Sequence, residues 1–107
     1  MAKYERSLHG DFDSLLQTLD KELLVGNINT FFYDGTDLSM GGVRCSIRVY
    51  ERDSTLGNLL SANITLIGKG NDLFLCVISS GGSNIKTSKT NFTKKIAKIV
   101  EQWEKQN

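Results

Sequence analysis

The chain contains no proline, one histidine and two cysteines in 107 residues. Without proline it has no proline-rich linker, and it also lacks any internal repeat or low-complexity tract that would mark a second unit. A length near 100 residues is the commonest size of a single domain. We therefore predict one domain that spans residues 1–107.

Motifs for catalysis and metal binding are scarce, because His9 is the only histidine. Asp11 and Asp13 lie close to it in sequence, but no second histidine or cysteine is nearby, and both acids are suited to cap a following helix. The GxSxG and HExxH motifs of hydrolases are absent as well. We predict a non-enzymatic protein with no catalytic residue, no metal site and no cofactor.

Long hydrophobic runs are also missing. No segment approaches the ~18 consecutive apolar residues of a membrane-spanning helix, and the start, MAKYERSLHGDF, lacks the apolar run of a secretory signal. Hydrophobic residues make up 39% of the chain and charged residues 23%, a balance typical of a soluble globule. We expect a cytoplasmic protein without membrane contact, in which Cys45 and Cys76 are small core residues rather than redox or zinc ligands.

The formal net charge is only +1, but the basic groups are concentrated at the C-terminal end. Residues 83–107 contain six lysines and two glutamates, a net charge of +4. A basic end can bind anions, whereas on a surface helix it more commonly serves solubility. The near-neutral total argues against nucleic acid as a partner.

Hydrophobic periodicity predicts seven elements. Apolar residues at helical spacing indicate two amphipathic helices, and alternating or continuous apolar runs indicate strands. The first helix carries the stripe Phe12, Leu15, Leu16, Leu19 and Leu23, and the second covers residues 92–105. The predicted strands are residues 3–9, 27–34, 43–52, 58–68 and 73–80.

These elements predict an α+β fold: a single antiparallel five-stranded sheet with two helices packed on one face, in the order β-α-β-β-β-β-α. The strand 43–52 alternates most strictly, so we expect one of its faces to meet the helices and the other to meet water. We assign its apolar set, Val43, Cys45, Ile47 and Val49, to the helices. Its polar set, Arg44, Ser46, Arg48 and Tyr50, is then assigned to solvent.

The order of elements resembles that of the TATA-box-binding-protein-like and helix-grip folds. The stretches GDFD, VRCSIRVYER, NITLIGKGNDLF and SSGGS resemble those of a small family of bacterial proteins of uncharacterised function. That resemblance covers nearly the whole chain. It implies no activity, ligand or catalytic residue, and fold alone does not assign one.

Arginines at every fourth position of the strand 43–52 form a first candidate binding surface. Arg44, Arg48 and Arg52 share a face with Tyr50. Guanidinium groups bind phosphates in a bidentate manner and a tyrosine can stack a base. An alternative is that the arginines solubilise an exposed strand and pair with neighbouring strands.

A second candidate is the polar segment SSGGSNIKTSKT after the last strand. It fails as a P-loop, because Ser80 and Ile85 occupy the two required glycine positions and the sheet is antiparallel. The glycines are then mainly strand breakers. The alternative is a weaker anion site near the last helix, built from Gly81, Gly82, Ser83, Lys86 and Lys89.

Two classes of function fit the sequence. The first is a non-catalytic binding or interaction module that uses the arginine-bearing sheet face, with a second copy of the chain or another protein as partner. The second is a small-molecule sensor with a cavity between the sheet and the C-terminal helix, lined by Phe92, Ile96 and Trp103.

Overall fold

The computed structural model of the chain describes residues 2–25, 29–53, 59–81 and 92–106. Its elements follow the predicted order β-α-β-β-β-β-α. The strands are β1 (Ala2–His9), β2 (Thr30–Met40), β3 (Val43–Asp53), β4 (Leu59–Lys69) and β5 (Asp72–Gly81). The helices are α1 (Phe12–Leu24) and α2 (Phe92–Gln106).

The strands form one antiparallel sheet in the order β1-β5-β4-β3-β2. Two tight hairpins connect β2 to β3 and β4 to β5. Gly41 and Gly42, with φ values of 57° and 82°, form the first turn, and Gly70, with a φ of 60°, lies in the second. Glycine suits these turns because side chains rarely adopt positive φ.

Both helices lie on one face of the sheet, which we call the covered face. Their apolar stripes pack there against alternate residues of the central strands. On β4 these are Ala62, Ile64 and Leu66, as the alternation predicts. The core consists of Leu8, Phe12, Leu15, Leu19, Leu23, Tyr50, Ala62, Ile64, Leu66, Leu73, Leu75, Val77, Phe92, Ile96, Val100 and Trp103. The predicted fold class is confirmed.

Polar contacts fix the two helices. The carboxylate of Asp11 accepts a hydrogen bond from the Ser14 amide at 2.9 Å, which caps the start of α1 as predicted. On α2, Thr93 shares a hydroxyl–hydroxyl hydrogen bond with Ser79 of β5. The indole Nε1 of Trp103 donates to Ser14 Oγ at 3.0 Å and so joins the two helices.

The predicted orientation of β3 is wrong. Tyr50 is 1% exposed and Ser46 is fully buried, so the covered face of β3 carries the polar set. Their opposite partners on β4, Ala62 and Leu66, are core residues, which confirms the assignment. The apolar set of Val43, Cys45, Ile47 and Val49 therefore lies on the other face, away from both helices; this we call the uncovered face.

The cause of this inversion is a pair of acids on α1. Tyr50 donates its hydroxyl proton to Asp20 at 2.8 Å, and the guanidinium of Arg44 binds the carboxylate of Asp13. Because these groups are hydrogen-bonded, polar side chains can face the helices at little desolvation cost. Alternation separates the two faces of a strand but does not say which one a helix covers.

The predicted end of the strand 27–34 is also wrong, because β2 continues through Gly35 to Met40. A register shift between Phe32 and Asp34 keeps it paired with β3. A Cβ atom at Gly35 would lie 2.7 Å from the carbonyl oxygen of Ile47. Gly35 therefore marks a close approach of two strands rather than a loop.

Candidate functional site

Arg44 forms an ion pair with an acid of α1. Its two terminal nitrogens donate to the Asp13 carboxylate at 3.0 and 2.8 Å, and the guanidinium lies 4.2 Å from the centre of the Phe12 ring. These hydrogen bonds lower the pKa of Asp13, with the charge of Arg44 acting in the same direction. Arg44 thus attaches β3 to the start of α1 and is not an open phosphate ligand.

We expect Arg44→Gln to raise the pKa of Asp13 toward its ordinary value, because the neutral amide removes the charge and the paired donors. Titration of the Asp13 carboxyl carbon by NMR measures the change. The pKa is depressed in the folded state, so the pair stabilises the fold above the unfolded pKa, and this is lost as the pH falls through the folded pKa. Identical titrations of both proteins would contradict the ion pair.

Arg48 and Tyr50 do not form a basic, base-stacking surface either. Arg48 Nε donates to Ser46 Oγ at 3.0 Å, and a terminal nitrogen lies 3.5 Å from Asp37. Burial raises the pKa of Tyr50, and the hydrogen bond to Asp20 adds to this effect. Because Tyr50 is buried, its ring cannot stack on a nucleobase.

The other predicted site residues are dispersed. Gly81 ends β5, and residues 82–91, which contain Gly82, Ser83, Lys86 and Lys89, lie outside the described part of the chain. Phe92, Ile96 and Trp103 belong to the core, with exposures of 2%, 0% and 3%. The helical spacing of Phe92 and Ile96 is therefore explained by their packing in the core.

His9, Asp11 and Asp13 each have a different partner and do not form one cluster. His9 Nδ1 lies 3.1 Å from Asp72, whereas Asp11 caps α1 and Asp13 binds Arg44. Across residues 2–25, 29–53, 59–81 and 92–106, no three histidine, cysteine or acidic side chains are grouped so that they could hold a metal ion.

The uncovered face of the sheet carries a broad apolar surface that the sequence analysis missed. Large hydrophobic side chains on it are between 37% and 77% exposed: Phe31, Leu38, Met40, Leu59, Ile67, Phe74 and Ile78. Val43, Cys45, Ile47, Val49 and Cys76 complete it with partial exposure. One signal was available, because β5 is apolar on both of its faces although the two helices can cover only one.

A second candidate site is a groove between α1 and α2. It has a volume of about 450 Å³, and all of its lining residues belong to the two helices. Its walls include Lys21 and Glu22 of α1 and Lys95, Lys98 and Trp103 of α2. Among the residues of the predicted cavity, Trp103 is the one that borders this groove.

Comparison with known proteins places the chain in a family. Residues 1–104 match the sequence profile of DUF6054, a family of unknown function. The chain belongs to the DUF6054 family. No protein with a curated description matches it.

A structural relative of this DUF6054 protein is PA94 of Pseudomonas aeruginosa, a protein of unknown function seen in a crystal structure. The two share 8% sequence identity with a TM-score of 0.51, over 87% of this chain and 78% of the relative. At this identity the likeness shows the fold alone. In the described part of the DUF6054 chain, no helix has the length and apolar content needed to cross a membrane.

Proposed function

We propose that this protein is a non-catalytic interaction module, and that the uncovered face of its sheet binds a second copy of the same chain. The carrying observation is that Val43, Cys45, Ile47 and Val49 lie on the side of the sheet that no helix covers. A sheet packed on one face normally has polar residues on the other. Exposed apolar patches of this extent mark interaction surfaces.

The size of the face is suited to a stable dimer. Five strands spaced about 4.8 Å apart, with about ten residues each at about 3.3 Å per residue, give a face of about 800 Å². Standard protein interfaces bury about 800 Å² on each partner. Two such faces can pack as sheets do in a sandwich, with the helices of each copy on the outside.

The distribution of charge favours a second copy over a nucleic acid. The centre of the uncovered face holds no charged residue. It consists of Cys45, Ile47 and Val49 on β3, Asn63, Thr65 and Ile67 on β4, and Phe74, Cys76 and Ile78 on β5. Charges of both signs lie at its rim: Lys3 and Glu5 on the edge strand β1, Lys69 and Asp72 beside the β4–β5 turn, and Asp34, Glu51 and Asp53 toward the other end of β2 and β3. A charge-poor centre is typical of interface cores, and a mixed rim does not repel its own copy. Phosphate backbones require a consistently basic surface.

A charge at the centre of this face tests the proposal. We expect the wild-type protein to sediment as a dimer, and Ile47→Glu to weaken association about 100-fold or more, because the symmetric interface would bury two unpaired carboxylates. Gln17→Glu introduces the same charge on the exposed side of α1 and is the matched control. Analytical ultracentrifugation over a range of protein concentrations measures both variants, and circular dichroism checks their fold.

The native cysteines supply a second readout, because Cys45 and Cys76 both lie on the uncovered face as free thiols. A cytoplasmic setting, which we propose for this chain, would keep them reduced. Their rate of reaction with a thiol reagent should fall as the dimer forms. A protein that remains monomeric at every concentration overturns the proposal. A dimer insensitive to Ile47→Glu, with unchanged thiol reactivity, overturns it as well.

A further inference from the structure

The groove between α1 and α2 lies on the opposite side of the molecule from the uncovered face, so a ligand there would not compete with self-association. Its volume of about 450 Å³ falls within the usual range of small-molecule sites, roughly 300–1,000 Å³. The walls combine charged side chains from both helices with an apolar surface. Each part of the wall restricts the class of ligand.

The charge of the groove is positive. The walls carry Lys21 of α1 and Lys95 and Lys98 of α2, and Glu22 is the one acidic side chain among the lining residues. Three lysines and one glutamate give a net charge of +2 in a protein whose total is +1. Lysines that converge from two helices are suited to a phosphate or carboxylate group.

Lys95 is a partly buried part of the groove wall. Its pKa is lowered, first by burial and then by the charge of Arg52, while the carboxylate of Glu22 opposes the shift. Arg52, predicted to belong to a row with Arg44 and Arg48, thus acts on this side of the fold. A bound anion would stabilise the charged form of Lys95.

The apolar part of the groove is formed by Ile99 and by the narrow edge of the largely buried Trp103 ring that borders it. The hydrogen bond from the indole Nε1 to Ser14 Oγ, 3.0 Å long, holds the ring in one orientation. A fixed aromatic edge beside an aliphatic side chain suits a ligand with a flat apolar body. Gln102 and Gln106 supply amide groups at the same wall.

We propose that this groove binds a small organic anion that has a phosphate or carboxylate head and a ring-sized apolar body. The lysines bind the head, and Ile99 and Trp103 contact the body. This inference goes beyond the proposed interaction module and stands independently of it. It gives the protein a ligand site on the helical side and a self-association surface on the sheet.

NMR titration of ¹⁵N-labelled protein tests the site directly, because Trp103 is the only tryptophan and its indole N–H gives an unambiguous signal. Phenyl phosphate and benzoate serve as probes with both a charge and a ring. Phenol lacks the charge, and inorganic phosphate lacks the ring. We expect both aromatic anions to shift the signal in a saturable way, with much weaker effects from phenol and inorganic phosphate.

Lysine variants assign the binding to the groove. Lys98→Gln and Lys95→Gln should each weaken phenyl phosphate about tenfold, because each removes a charge-assisted contact. Lys94→Gln is the matched control, since this exposed lysine of α2 lies outside the groove. Ile47→Glu should bind as the wild type does, so failure of this site is distinguishable from failure of the dimer.

Three results would overturn the inference. The first is the absence of a saturable shift with either aromatic anion, and the second is equal affinity of the Lys98→Gln and Lys94→Gln proteins. The third is equal binding of phenol and phenyl phosphate, which would show that the lysines do not recognise the ligand.

Discussion

Tyr50→Ala should lower the free energy of unfolding by about 4 kcal/mol, whereas Val49→Ala, one position earlier on the same strand, should cost about 1 kcal/mol or less. Tyr50 is 1% exposed and packs in the core, so its removal creates a cavity. It also removes the hydrogen bond to Asp20. Val49 lies on the uncovered face, where no helix packs against it.

Urea denaturation followed by circular dichroism measures both costs, with the protein dilute enough that association does not contribute to stability. Tyr50→Phe separates the two parts of the Tyr50 effect. It should cost about 1 kcal/mol, because it removes the hydrogen bond but keeps the ring. A larger loss for Val49→Ala than for Tyr50→Ala would contradict the orientation of β3 described here and restore the one predicted from hydrophobicity.

The order and type of the elements could be predicted because they depend on local periodicity. The stripe that starts at Phe12 and the alternation from Val43 each require one kind of element and no knowledge of the rest of the chain. Gly41, Gly42 and Gly70 mark the hairpin turns in the same local way.

The orientation of β3 could not be predicted by the same rule. It depends on partners distant in sequence: Asp13 and Asp20 on α1, and Ala62 opposite Tyr50 on β4. Asp13 and Asp20 are seven residues apart and lie on one side of their helix, beside the apolar stripe. Such a pair of acids is a usable sign that the facing strand presents polar groups.

The prediction of a binding site on β3 depended on the predicted orientation of that strand. An arginine row was predicted as an open surface because apolar residues were assumed to be covered. The protein instead pairs Arg44 and buries Tyr50, and it exposes Ile47 and Val49 to partial solvent contact. The groove was invisible in sequence because Lys21 and Lys98 approach each other only when α1 and α2 lie side by side.

Gly10→Ala is expected to lower the free energy of unfolding by about 3 kcal/mol, through two effects at the junction of β1 and α1. The backbone of Gly10 has a φ of 152°, which side chains rarely adopt, and a residue held in such a region costs about 1–3 kcal/mol. An added Cβ would also lie 2.6 Å from Cη2 of Trp103. The indole is buried in the core, so α2 or the chain turn must move.

Gly41→Ala separates backbone strain from the clash. Gly41 has a φ of 57°, and a Cβ there would meet no atom within 4 Å, so only the strain, about 1 kcal/mol, should remain. The indole N–H signal of Trp103 should move in the Gly10→Ala protein and stay in place in the Gly41→Ala protein. Because Trp103 also borders the groove, Gly10→Ala should weaken phenyl phosphate binding as well. Equal stability of the two variants, with an unmoved indole signal, would show that Gly10 does not limit the position of α2.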